Sequence, residues 1–228
     1  MQKFKFGHSV KLRQLAKMLN LERSEVASAD LPCGYSCPFA LKCKAFANPV
    51  SGRLTDGKYA EFRCYGASLE TAFTALRNRN WYNYNLMRNA KNAGEMTDIL
   101  LSSFSDRIKV MRIHAFGEFF SDNYFQAWVN VAQEKPLVSF FTYTKALPYI
   151  RMDKPDNFSM QYSMGGTLDG ELNGEPVAHV VNTESQAKKM GLPIACKNNP
   201  ADDYLFVKAK MDFALLVHGT QKAGYNRN

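Results

Sequence analysis

Near the start of the chain, Leu12, Leu15 and Leu19 recur three and four residues apart over residues 11–21 (KLRQLAKMLNL). That spacing predicts an amphipathic helix. A second helix is predicted from Ser68, a residue type suited to an N-cap, with Leu69, Ala72, Phe73 and Leu76 along one face. From Ile108 the pattern changes to short β-prone runs separated by helical stretches. The runs are KVMRIHAF, LVSFFTYT, FSMQYSM, AHVVN, PIAC and FALLVH; SDNYFQAWVNVAQEK and ESQAKKMG fall between them as helices. Such β/α alternation predicts parallel strands buried between helices. The expected fold is therefore a single α/β domain over residues 1–228, a complete or partial parallel β/α barrel of the TIM type. Residues 1–66 supply a helix and a Cys-rich loop segment, and residues 67–228 supply the β/α core. In that architecture the chemistry gathers at strand C-terminal ends. Those ends are marked by His114 to Glu118, Thr142 to Lys145, Ser163 to Gly166, Asn182 with Thr183, Cys196, and His218 with Gly219.

Composition supports one folded body. The chain has 228 residues, 46% of them hydrophobic and 13% aromatic, so disorder is excluded as the main state. Leu168 to Pro176 reads as a polar turn, and no repeat or linker divides the sequence. No stretch approaches the ~20 apolar residues of a membrane helix, and Met1 to Val10 lacks a secretory apolar core. A soluble, cytoplasmic protein with no membrane partner is expected. Five cysteines in a reducing compartment point to metal binding before disulfides.

The net charge of +8 is concentrated at the cysteine end: residues 1–64 hold eleven Lys and Arg against five Asp and Glu. Three readings fit. The cations neutralise phosphates of a nucleic acid, they form a solvated face, or they offset a cluster of anionic thiolates. No zinc finger or RNA-binding signature accompanies them, so nucleic acid is not favoured.

The cysteines carry the strongest signal. Cys33, Cys37 and Cys43 fall in LPCGYSCPFALKC, and Cys64 follows in EFRCYG. Gly34 and Pro38 break regular helix there, so the chain can wrap and aim several sulfurs inward. Iron–sulfur ligation leads. Zinc is the rival, although only Cys33 and Cys37 make a close pair. Free buried cysteines packed as small hydrophobes are the third reading.

The strings LPCGYSCPFALKC, FRCYGAS, RIHAFGEFFS with a helix containing Trp128, and FFTYTKA, in that order, resemble the bacteriophage family called gene product 88. The resemblance covers about residues 30–220. It implies a phage-encoded iron–sulfur protein of the infected host's cytoplasm, with a barrel similar to that of radical S-adenosylmethionine enzymes and no settled reaction. By position it implies Cys33, Cys37, Cys43 and Cys64 as cluster ligands, and with the spacing it predicts one [4Fe–4S] cluster on those four, with Cys196 in reserve for Cys64. Radical enzymes use CxxxCxxC and leave one iron open. Here the last gap is five residues and Cys64 offers a fourth thiolate. Redox, electron-transfer or structural duty is therefore expected over S-adenosylmethionine cleavage, with an unidentified electron donor or acceptor. A radical enzyme with an open iron and a zinc-stabilised nucleic-acid module stand as alternatives, and whether the chain is an enzyme stays open.

Around the cysteines, Arg112, His114 and Glu118 are expected to surround the cofactor. Arg112 and His114 share a strand face by alternation, and Arg112 has Glu118 or the cluster as its expected partner. Glu118 grips a cationic group or sits beside a helix N-terminus. Lys145 reads as solvated, or as reaching an anionic ligand. The run Trp81-Tyr82-Asn83-Tyr84, with Arg77, Arg79 and Arg88, reads as a helix packed on the barrel wall before a base-stacking surface. His8, His179 and His218 show no ligand-like spacing.

Overall fold

The computed structural model describes residues 2–197, 199 and 201–217. His218 and Gly219, expected at the end of the last strand, lie outside the described residues. The first predicted helix forms as α1 (Val10–Met18), its N-terminus capped by the Ser9 hydroxyl, which accepts from the Leu12 amide. β1 (Val26–Ala29) follows. A long excursion then carries the cysteines, the β2 (Ala45–Ala47) and β3 (Leu54–Asp56) hairpin, α2 (Tyr65–Ala72), α3 (Thr74–Asn89) and α4 (Ala93–Ser103). The chain returns to the sheet as β4 (Val110–Ile113). It continues through α5 (Asp122–Glu134), β5 (Ser139–Thr144), α6 (Leu147–Arg151), β6 (Phe158–Ser163), β7 (Val177–Val181), α7 (Glu184–Lys189), α8 (Asp203–Lys208) and β8 (Phe213–Leu216).

Six strands form one sheet in the order β1-β4-β5-β6-β7-β8, and every pair is parallel. The α/β alternation read after Ile108 is therefore present. Among the described residues no ladder joins β8 to β1. Two strand expectations change. PIAC gives only an isolated bridge from Ile194 to Ala214, and the sixth strand is instead β1, formed by VASA. That run is only four residues long and mostly small, yet all four are buried, so tertiary packing rather than local pattern makes it a strand.

Alternation along the strands sorts the core into two layers. One face presents Ala27, Ala29, Met111, Ile113, Phe140, Phe158 and Met160 to α4 and α5, where Trp128 is wholly buried and Phe125 stacks on Tyr149 at 4.5 Å. Burying each such aromatic contributes roughly 1.5–3 kcal/mol. The other face presents Val26, Val110, Phe141, Ala178 and Phe213 to α1 and α8.

Ser68 does not start a helix. Cys64 occupies the N-cap of α2, and the Ser68 hydroxyl donates back to the Cys64 carbonyl from within the first turn. The chain breaks at Phe73 between α2 and α3, so Ala72 and Phe73 are exposed and the buried residues of α2 are Gly66, Ala67 and Glu70. The aromatic run lies on α3 as packing: Tyr84 and Met87 are in the core and Trp81 packs against it. No helix among the described residues is long and apolar enough to cross a membrane.

Candidate metal centre

The cysteine segment lies across the C-terminal ends of the strands because its backbone is tied to the loops that leave them. Leu31 N donates to the Phe116 carbonyl after β4, and the Leu41 and Lys42 amides share the Gly165 carbonyl after β6. The Glu118 amide donates to Ser36 Oγ at 3.2 Å. Gly117 allows that approach: at φ +82° it sits where an added Cβ would meet Ser36 Oγ at 2.6 Å and Leu31 Cβ at 2.7 Å.

These ties bring Cys33, Cys37, Cys43 and Cys64 to the wall of one cavity of about 360 Å³. The first four cysteines of the sequence thus share a site. Cys196 does not line it; that thiol takes a hydrogen bond from Lys11 Nζ at 3.2 Å, beside Asp203. Cys33 and Cys64 are in thiol–thiol contact, with Cys33 as donor. Cys64 also faces the amides of Gly66 and Ala67 at the start of α2, and those donors together with Cys33 draw its pKa down. Contact with Cys64, followed by burial, pushes the Cys33 thiol well up. Cys37 accepts from the Gly34 amide at 3.3 Å, yet burial and the nearby Glu118 carboxyl raise it. Burial raises Cys43 to about 11, and the Lys145 ammonium opposes that rise. Four thiols on one buried wall, each within electrostatic reach of another, do not all ionise unaided. A bound cation that replaces their protons removes the conflict.

Lys145 is not solvated as expected. Its ammonium is buried and donates to the Ser163 carbonyl at 2.9 Å, Ser163 Oγ at 2.9 Å and the Met164 carbonyl at 2.8 Å. All three acceptors are uncharged, so its charge acts on Cys43, Cys64 and the Glu118 carboxyl. Glu118 is also buried, and its carboxyl accepts from the Lys145 amide at 2.8 Å and the Phe119 amide at 3.0 Å. Burial outweighs these donors and raises its pKa to about 7.

His114 and Arg112 do not share a face. β4 ends at Ile113, and His114 takes a left-handed backbone at φ +66°, which breaks the alternation. Its ring packs edge-on to Phe119 at 4.6 Å and pairs Nε2 with the Tyr124 hydroxyl at 3.3 Å, while Nδ1 is buried without a partner. Burial alone lowers the pKa to about 3, so the imidazole is neutral. Arg112 lies over Tyr143 and Phe141 instead, and the expected pairing with Glu118 does not form.

Sequence reading missed the support behind Cys33. Glu70, on α2, accepts from the Cys33 amide at 3.1 Å and from Asn80 Nδ2 at 2.7 Å, and burial raises its pKa to about 8. Asp30 accepts from Ser28, the Ala115 amide and Arg79 at 2.6 Å, linking β1, the loop after β4, and α3. A Glu on a helix and an Asp at a strand end carry no local mark of burial, so only long-range packing identifies them.

No group of three or more His, Cys, Asp or Glu among the described residues is arranged to hold a single metal ion. The thiols do suit a polynuclear cluster in their chemistry: four sulfurs, backbone N–H donors on Cys37 and Cys64, and a buried cation line one cavity. Seating such a group requires Cys33 and Cys64 to part from their mutual contact.

A family model described as Gene product 88 matches residues 3–228. The chain is 30% identical over 198 residues to the Gene 88 protein of Mycobacterium phage L5, covering 78% of this chain and 76% of the relative. It is 27% identical over 205 residues to the Gene 88 protein of Mycobacterium phage D29, covering 80% and 78%. No solved structure matches the chain.

Proposed function

The chain belongs to the gene product 88 family, and from the thiols gathered over its sheet we propose that it holds one [4Fe–4S] cluster through Cys33, Cys37, Cys43 and Cys64. The convergence of four cysteines on one cavity, with Lys145 behind them, carries this reading. Such a cluster, when bound, exchanges single electrons. The protein's own part is to set the environment. Gly34, Gly66 and Ala67 point amides at sulfur, Lys145 supplies an ammonium held by neutral acceptors, and Glu70 fixes the Cys33 backbone. Glu118 and neutral His114 line the same cavity and tune it, and Arg112 adds a second cation. Hydrogen bonds to the sulfurs and neighbouring cations favour the more reduced state.

With a thiolate available for every corner, the role is electron transfer or structural support. Anaerobic purification with iron, sulfide and zinc analysis tests the cofactor: about four irons and four sulfides per chain are expected. Zinc without sulfide refutes the cluster. Adding S-adenosylmethionine to the reduced protein tests the open-iron alternative, and formation of 5′-deoxyadenosine would transfer the chain to the radical enzymes.

A further inference from the structure

Arg112 projects from β4 into the cavity that the cysteines also line, yet among the described residues it has no hydrogen bond or ion pair. Its Nε is buried and unpartnered. Two rings hold the guanidinium in place: the Tyr143 centroid lies 5.3 Å from Cζ and the Phe141 centroid 5.9 Å. The neighbouring carboxylates are already engaged. Asp203 takes Lys11 Nζ at 2.7 Å and the Tyr143 hydroxyl at 2.9 Å, and Asp30 takes Arg79 at 2.6 Å. With Lys145 satisfied by neutral oxygens, the cavity wall carries a surplus of positive charge. Asp30 and Asp203 act on Arg112 only through space, and a partly buried guanidinium whose donors are unmade is costly, while its planar fork matches an oxyanion. The same cavity has an apolar side made by Val180, Leu215 and Val217.

We infer that Arg112 is the anchor of a binding site for a small organic anion, whose oxyanion accepts from the guanidinium while its apolar body rests on Val180, Leu215 and Val217. The cavity's volume falls at the lower end of the range for small-molecule sites, so the ligand is compact. Carboxylate and phosphate monoester share the required chemistry. Neither the guanidinium nor the apolar side is among the proposed cluster ligands.

The full-length protein as purified is titrated by calorimetry with benzoate, phenyl phosphate and benzylammonium, and iron is measured in the same samples. Saturable binding of benzoate or phenyl phosphate, with no binding of benzylammonium, is expected, and the tighter of the two identifies the head group. Arg112→Gln weakens it about tenfold or more, as loss of a charge-assisted hydrogen bond does. Val180→Trp, which fills the cavity from β7 and spares Arg112, weakens it too and decides the matter if Arg112→Gln fails to fold. Equal binding of benzylammonium, unchanged affinity in both variants, or refusal of both anions overturns the inference. Refusal of both anions by iron-replete protein would assign the cluster as the counter-charge of Arg112. Absence of iron with anion binding intact would overturn the cluster and leave this site standing.

Discussion

Cys33 and Cys64, separated in sequence by the whole β2–β3 hairpin, lie with their thiols in contact over the sheet. Gly66 makes the contact possible, because a Cβ added there would overlap Cys33 Sγ and approach the Phe116 ring at 2.8 Å. The start of α2 is thus fitted to its neighbour at the level of a single methyl group.

Gly66→Ala should therefore damage the site. Overpacking of this kind costs about 1–3 kcal/mol. A lower melting temperature together with reduced iron loading is the expected outcome, and wild-type values for both would show that the segment yields freely.

Serine at Cys33, Cys37 or Cys43 removes a thiolate that no neighbouring group replaces. Each variant should lose most of its iron and much of its solubility, because binding energy in such segments is also folding energy. Cys196→Ser should keep its iron, since that thiol, bonded by Lys11, does not line the cavity. Full iron in all three of the first set would dismiss the ligand assignment.

The gathering of the first four cysteines on one cavity was legible in the sequence because their spacing, Gly34 and Pro38 are local signals, and so is the alternation that became β4 to β8. The surroundings were not legible. Lys145 reads as a surface residue until Ser163 and Met164, from another strand, supply its acceptors. His114 left the face of Arg112 because a non-glycine residue adopted a left-handed backbone, which alternation does not foresee. The Ser68 cap failed because the helix already begins at Cys64, a poor N-cap by type.

The pH dependence of stability has a definite sign at His114. Burial lowers its pKa from the ordinary 6.5 to about 3, so its neutral form is favoured in the fold. Its contribution is fully present above pH 6.5 and is lost as the pH falls toward 3, roughly 3–5 kcal/mol in all. Glu118 works in the opposite sense: raised to about 7, it favours the fold most below pH 4.5 and loses that advantage as the pH rises through 7. His114→Gln should thus flatten the acid limb of the melting curve between pH 6.5 and 3. Glu118→Gln should flatten the slope between 4.5 and 7. Parallel wild-type and variant curves in either window would contradict the assignment for that residue.

Arg79→Gln tests the buried ion pair at the root of the cysteine segment. Asp30 is almost wholly buried, and burial raises its pKa even though Arg79 pulls the other way. Removing the guanidinium leaves that carboxyl without its main counter-charge. A loss of about 3 kcal/mol or more is expected by chemical denaturation, whereas a change under about 0.5 kcal/mol would mark the pair as an ordinary surface contact.

The parallel pairing of β1 with β4 has a consequence for the connectivity of the chain. Residues 30–109 leave the sheet and return beside the strand they left, so the excursion is a loop whose two ends are stitched by backbone hydrogen bonds. A protease that nicks an exposed turn of it, such as Val50–Ser51, would yield two fragments that stay together as one particle, held by a shared sheet and core. By the same logic, the two fragments expressed separately should reassemble, and the four proposed ligand cysteines would then be divided three to one between them.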